Sequence, residues 1–585
     1  MNLFAELQRR KVFKVGAAYL VVGWLLIQVS STVAPQLNLP DWAPRLITLI
    51  ILIGFPITLL LAWIFEATPE GIRVDSGTVG NKGIFVVCAI LAALAVGWYW
   101  RTRPVEVRGD SDARSIAVLP FVNMSDDKGN EYFSDGISEE ILNVLARTPD
   151  LRVAARTSSF SFRKQEKEVP DIARELKVRM VLEGSVRKQG ERVRVTAQLI
   201  DADKGFHVWS QTYDRDLKDI FAIQDEIANA IADELKVKLD ATHAPGAVVP
   251  DTNDLGAYDL YLKGMALWAG RGGKNLLEAV ELFRTALKKD PNYAKAWAGL
   301  ALTYAILPEW SEFPYTESRA LGRDAAEHAL ALDPALPEPF AALAYVAGTE
   351  FRYATSRALY DRAIAIAPSY ATAYQWYGET LQGKGDVDAG VTMLRKAVGL
   401  DPKSSIVSSV YANLLYTAHR DDEAIAACEA MAAAIDEEWC PLIKWDVAVS
   451  RKDNAQARAA LEQVVAARGP GAIALFHAQM DALEGKGDVE AIARKLMDVP
   501  DGQMDPNGVT PMAAPDVALW LVMAGRNDLA IEKLARYRKI APQNTRLLAF
   551  DAHLAVLHCE PRFIELMRSL KVEEPHLATD CPKGR

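Results

Sequence analysis

The chain has 585 residues, too many for a single hydrophobic core, so two to four domains are expected. With 50% hydrophobic and 24% charged residues, the composition excludes a wholly disordered chain. A net charge of -10 argues against a nucleic-acid partner, whose footprint is a basic domain or stripe.

Three apolar stretches come first. Residues 15–33 run for 19 positions without a charge, behind Arg9, Arg10, Lys11 and Lys14. Residues 46–65 run for 20, and 83–100 for 18, ending in Trp98, Tyr99 and Trp100. A bilayer core about 30 Å thick needs roughly 20 helical residues, so these predict three transmembrane helices. Trp24, Trp42 and Trp63 fall near the expected interfaces, and Pro56 predicts a kink in the second span. The stretch 15–33 also fits a signal peptide, but its length and Pro35 after Thr32-Val33-Ala34 favour a retained anchor. Residues 1–103 thus read as a membrane anchor and 104–113 as a linker. The basic cluster before the first span sets the amino terminus inside and everything after residue 100 outside. Arg101, Arg103, Arg108 and Arg114 pull against that orientation, since only Arg73 and Lys82 precede the third span.

Residues 114–240 change to alternating short strands and helices, a small α/β domain. Residues 115–123 predict a buried strand, 134–147 a helix with Ser138 as a starting residue, and 151–156 a second strand. Residues 170–177 predict a helix opened by Pro170. Three further strands are expected at 179–188, 192–201 and 207–213, separated by Gln189-Gly190-Glu191 and Asp203-Lys204-Gly205. Val193, Val195 and Ala197 alternate with Arg192, Arg194 and Thr196, so one sheet face should be wet. A closing helix is expected over 217–239. The carrying strings are SIAVLPFVNMS (115–125), EYFSDGISEEI (131–141), LRVAARTSSFSF (151–162), VLEGSVRKQGERVRVTAQLIDADKGFHVWSQTYDR (181–215) and DIFAIQDEIA (219–228). On these the segment resembles the TolB-like amino-terminal domain of bacterial envelope proteins, related to FlgO-type flagellar outer-membrane proteins. The resemblance implies an α/β domain on the envelope side and carries no catalytic residues. Residues 4–24 and 54–73 look like the membrane segment often joined to that domain. The three spans, the basic cluster and this resemblance together predict a bacterial inner-membrane, multi-pass protein with its soluble domains in the periplasm. Related chains carry an adenylate cyclase domain ahead of the same module, and no stretch of this sequence is left to hold one.

After a linker at 241–254, residues 255–575 repeat. Pro291, Pro334, Pro368 and Pro402 are spaced by 43, 34 and 34 residues. Ala286, Ala329, Ala363 and Ala397 lie five before them, and Leu300, Leu343, Tyr377 and Tyr411 nine after. The first unit holds Ala279, Phe283, Ala286, Pro291, Trp297, Leu300 and Tyr304, and Gly378 follows Tyr377. This resembles the 34-residue tetratricopeptide pattern. An insertion at 308–317 explains the longer spacing. Farther on, Asp386, Asp422, Asp453, Asp488 and Asn527 mark starts of second helices, each followed within three residues by an Ala. Seven to nine helical pairs are expected, then a tail at 576–585. The resemblance implies an all-α solenoid whose groove takes protein partners.

Cys428/Cys440 and Cys559/Cys581 are two sequence-local pairs, and spacing leaves open whether they are disulfides or buried thiols. Gly383-Lys-Gly-Asp386 and Gly485-Lys-Gly-Asp488 miss the phosphate-loop spacing and read as inter-helix turns. None of the eight His pairs with Cys, Asp or Glu at metal-ligand spacing. Asp126-Asp127 reads as a solvated loop, and Glu139-Glu140 as a helix first turn. No nucleophile signature occurs. The reading is a protein–protein interaction scaffold or adaptor that is not an enzyme, with no cofactor, metal or small-molecule ligand. The alternative is a transmembrane signalling subunit related to adenylate-cyclase-associated repeat proteins.

Overall fold

The computed structural model describes isolated positions between 15 and 58, the stretches 65–68 and 71–74, and most of residues 114–235 and 254–572. The chain divides into two compact units, Met1–Asp110 and Ser111–Arg585. In the first unit, β1 (Phe65–Thr68) and β2 (Gly71–Val74) form an antiparallel hairpin, and the Tyr19 hydroxyl donates to the Ile51 carbonyl at 2.9 Å.

The expected span 83–100 lies outside the described residues, while 15–33 and 46–65 are described only at isolated positions. Phe65, expected to close the second span, opens β1 instead. Among the described residues no helix is long and apolar enough to cross a membrane. The multi-pass inner-membrane placement, with the soluble domains in the periplasm, is corrected accordingly. A span requires a continuous apolar helix of about 20 residues, and apolar composition near the amino terminus does not by itself supply one. The expected linker 104–113, the tail 576–585 and most of 241–254 also lie outside the described residues.

The second unit opens with a mixed sheet. Its strands are β3 (Ser115–Val118), β4 (Val122–Asn123), β5 (Arg152–Val153), β6 (Met180–Gln189), β7 (Arg192–Asp201) and β8 (Phe206–Asp216). The order is β5-β3-β6-β7-β8, with β4 also on β6; β3 runs parallel to β5 and β6, whereas β6, β7 and β8 are antiparallel. The alternation in β7 has the expected effect. Val193, Val195 and Ala197 are buried, while Arg192 and Arg194 face water and both pair with Asp214 across on β8. The expected strand 115–123 is two strands, because Pro120 cannot donate to the ladder; pairing with β6 resumes where the Met124 N–H reaches the Val186 carbonyl at 2.8 Å.

Helices α1 (Glu131–Ala146), α2 (Arg156–Phe160), α3 (Val169–Leu176) and α4 (Ile220–Leu235) complete this part. Ser138 does not start α1 but sits in its middle. Its hydroxyl donates to the Ser134 carbonyl at 2.9 Å and accepts the Phe121 N–H at 2.8 Å, so a buried role occupies the side chain expected to cap.

Among the described residues eight helical hairpins follow: α5 (Leu255–Gly270) with α6 (Gly273–Lys289), α7 (Ala294–Trp310) with α8 (Tyr315–Leu332), α9 (Pro337–Thr349) with α10 (Tyr353–Ile366), α11 (Ala371–Lys384) with α12 (Val387–Leu400), α13 (Ser405–Thr417) with α14 (Asp421–Ala430), α15 (Trp439–Ser450) with α16 (Asn454–Ala466), α17 (Pro470–Leu483) with α18 (Val489–Asp498), and α19 (Ala514–Met523) with α20 (Asn527–Tyr537). A 3-10 segment, Ala552–Cys559, and α21 (Pro561–Ser569) follow.

The repeat signature makes the hairpins by two devices. At the four proline-marked turns between hairpins, the N–H before the proline closes the last helical turn on the buried alanine: Asp290 on Ala286, Asp333 on Ala329, Ala367 on Ala363 and Asp401 on Ala397, at 2.9, 2.8, 2.9 and 2.8 Å. The proline cannot continue the helix, so it stops there. Within the last six of these hairpins, the turn residue is left-handed: Phe351, Gly385, His419, Lys452, Gly485 and Gly525 all have positive φ. Gly385 and Gly485 of the two glycine-lysine motifs are thus helix-ending residues. Close approach is set at Phe283, whose ring lies between α5 and α7; a Cβ on Gly264 or on Gly299 would meet it at 2.6 Å.

Cys428 and Cys440 are joined in a disulfide with Cα atoms 5.5 Å apart. Cys559 is also disulfide-bonded, and Cys581 lies outside the described residues.

Candidate functional site

The first helices of successive hairpins, α7, α9, α11, α13 and α15, lie side by side and form the inner layer of the array. The signature residues serve the core of that layer rather than its open face. Ala279, Phe283, Ala286, Ala363 and Ala397 are fully buried, and Leu300, Tyr304 and Tyr377 nearly so. Trp297 instead closes a turn, its indole N–H donating to the Pro291 carbonyl at 2.9 Å while its ring stacks on His328. Pro368 and Pro402 stand in turns, and Gly378 lets α11 approach Leu394 of α12.

The inner face proper carries side chains that sequence reading missed. Tyr345 of α9 donates its hydroxyl to Glu309 at the end of α7 and packs on Trp376, ring centroids 4.9 Å apart. Gln375 donates to Glu379 at 2.9 Å, one turn along α11. The Arg271 guanidinium lies over the Trp268 ring, 3.8 Å from its centroid, and donates to the Trp268 carbonyl at 3.1 Å. Burial pushes Glu309 up to about 7, against the Tyr345 hydrogen bond and Arg271. Burial and the neighbouring Glu309 charge push Glu379 up to about 7 as well. Burial brings Arg271 down to about 10. The result is a strip in which the buried rings of Trp268, Tyr345 and Trp376 back two half-buried carboxylates and one half-buried cation. It suits hydrogen bonding and charge pairing with an incoming segment, and it holds no nucleophile beside a base. The signal was present in the register. Two residues after Leu300, Leu343 and Tyr377 stand Leu302, Tyr345 and Glu379, where the inner face turns from aliphatic to aromatic to acidic.

Along the turn edge the array holds the α/β part. Asp401 accepts the Ser158 N–H at 2.9 Å and its hydroxyl at 2.6 Å, while the Lys403 N–H donates to that hydroxyl oxygen at 2.8 Å. The Ser369 hydroxyl accepts the Val153 N–H and donates to the Leu151 carbonyl, both at 3.1 Å. Glu139 pairs with Arg156 at 2.7 Å, and Glu140, 4% exposed, pairs with Lys295 of α7. These glutamates are therefore mid-helix and interfacial, not a solvated first turn. Asp127 caps a short turn, accepting the Gly129 N–H at 2.8 Å.

The tetratricopeptide repeat family matches residues 261–329 and 378–438. The hairpins in those two stretches are tetratricopeptide repeats. The family described as HilA/YgeH-like transcriptional regulator, second domain, matches residues 111–230, the sheet segment. A Rhizobium meliloti protein named putative adenylate cyclase 3 is 38% identical over 227 residues, 38% of either chain. The chain thus spans about two fifths of the length of the curated relative it matches. Among solved structures, Pseudomonas aeruginosa PilF is 18% identical, covers 36% of this chain and 91% of its own, and has a TM-score of 0.29. PilW, a type IV pilus biogenesis factor, is 17% identical, with coverage of 36% and 94% and a TM-score of 0.30.

Proposed function

We propose that the chain is a protein-interaction scaffold without catalysis of its own, taking a partner segment on the inner face of its tetratricopeptide array. The observation that carries this is the strip of Trp268, Arg271, Glu309, Tyr345, Trp376 and Glu379. Stacked hairpins bury their apolar faces on one another and leave one continuous inner surface for a ligand. Half-buried carboxylates and a guanidinium lying over buried rings can hold an extended or helical segment by charge pairing and hydrogen bonds. The test is photo-crosslinking in native cells, with a reactive residue at Glu309 on the inner face or at exposed Arg357 on α10. Adducts at position 309 and none at 357 support the reading; equal labelling, or none at 309 in folded protein, overturns it.

We further read residues 114–240 as a TolB-like domain. Its support is the set of strings quoted above, and the HilA/YgeH-like match covers the same segment under another description. A second reading, a regulatory subunit of nucleotide signalling, is favoured by one observation, the 38% identity to the putative adenylate cyclase. It predicts that the chain changes the rate of a separately supplied cyclase catalytic domain, and an unchanged rate at saturating protein would exclude it.

A further inference from the structure

After the last hairpin the chain returns along the turns of the array. The Arg546 guanidinium donates to the Gly383 carbonyl at 2.8 Å and lies 4.9 Å from the Phe351 ring centroid. Phe550 packs on Gly385. The returning strand then reaches His419, whose ring meets that of His553 edge-on at 4.8 Å, while His553 stacks on Tyr416 at 4.1 Å.

Three ligand atoms converge there from positions up to 134 residues apart. His419 Nδ1 and His553 Nε2 are 3.3 Å apart, and each is 3.6 Å from Asp421 Oδ1. A tetrahedral site with metal–ligand bonds of about 2.0–2.2 Å has ligand–ligand edges of roughly 3.3–3.6 Å, so this triangle is one face of such a site. Two further observations agree. Asp421 is 6% exposed, yet its Oδ1 accepts no hydrogen bond among the described residues; the other oxygen faces Arg451 at 3.6 Å. Asp551 accepts from His553 Nδ1 at 3.1 Å and from the His553 N–H at 2.9 Å. A carboxylate on one ring nitrogen fixes the tautomer that presents the other as a lone-pair donor, the usual support behind a metal-bound histidine.

We infer that His419, Asp421 and His553 bind one zinc-class divalent cation, which clasps the returning strand onto the turn between α13 and α14. The two-nitrogen, one-oxygen set is borderline-soft and suits Zn²⁺ or Co²⁺ rather than Ca²⁺ or Mg²⁺. His419, with 62% of its side chain exposed, leaves the fourth position open to water.

The test uses the full chain, purified without a histidine tag, stripped with chelator and titrated with Co²⁺ and then Zn²⁺. One equivalent of Co²⁺ with the intense visible absorption of four-coordinate cobalt, displaced by Zn²⁺, is the expected result. Asp551→Asn should weaken binding about 10–100-fold. His553→Gln should abolish it, but His553 is buried and its loss can disturb folding. His419→Ala, at an exposed side chain, leaves the fold intact and should weaken binding at least as much as Asp551→Asn. Wild-type protein that gives no four-coordinate spectrum, or a His419→Ala variant that binds as tightly as wild type, overturns the inference.

Discussion

The carboxylates of the inner face give the clearest residue-scale expectation. Glu379 is raised by burial from its ordinary 4.5 to about 7, so the folded chain keeps a proton that the unfolded chain releases. Its contribution to stability is therefore full below about pH 4.5 and is lost as pH rises through about 7. Glu309 behaves alike for the same cause. Glu379→Gln should flatten the fall of Tm between pH 5 and 8 and raise Tm at pH 8 by about 1–3 °C, read by calorimetry. An unchanged pH profile would place the carboxylate in water. Phe283 offers a second case at this scale. Gly299→Ala puts a Cβ 2.6 Å from its ring, an overpacking that should cost about 1–3 kcal/mol by urea denaturation. Combined with Gly264→Ala it should be less than additive, since both press on the same ring.

At the scale of elements, the turn between α12 and α13 and the short helix α2 share one hydroxyl. Ser158→Ala removes a donor to buried Asp401 and the acceptor for the Lys403 N–H. The expected loss is about 1–3 kcal/mol, with faster hydrogen exchange over 152–160 but not in the later hairpins. This scale also shows what the sequence made legible. Strand pairing over 180–213 follows from two short turns and the alternation within 192–198, and the early hairpins follow from prolines spaced by 43, 34 and 34 residues. These are local signals, and local signals survive in a linear text. Ser138 misled because a serine before apolar residues looks like a cap, whereas Phe121, 17 residues upstream, claims its hydroxyl. Glu140 looked solvated because its partner, Lys295, lies 155 residues away. His419 and His553 were invisible together for the same reason. The second apolar stretch misled at its end, where Phe65 pairs in β1.

At the scale of the whole molecule, the second unit is one body with two fasteners. The α/β part holds the turn edge of the early hairpins at Lys295, Ser369 and Asp401, and the returning strand holds the turns at Phe351, Gly385 and His419. A plain repeat array melts from its ends, because each repeat touches only its neighbours. This unit should instead lose its early hairpins and its sheet in one transition, with the sheet's circular-dichroism signal and the tryptophan fluorescence melting together. Separated transitions would count against the fastening. The Cys428–Cys440 disulfide, closing a loop of sequence separation 12, should add about 3 kcal/mol, so reductant should lower the midpoint of the later hairpins first.

The contact between Ser158 and Lys403 also sets a timetable. The two residues are 245 positions apart, and at the usual pace of synthesis that interval takes roughly 10–50 s. For that time the nascent sheet waits on the ribosome with its docking edge uncovered. The partner that completes it is a stretch of its own chain still being translated.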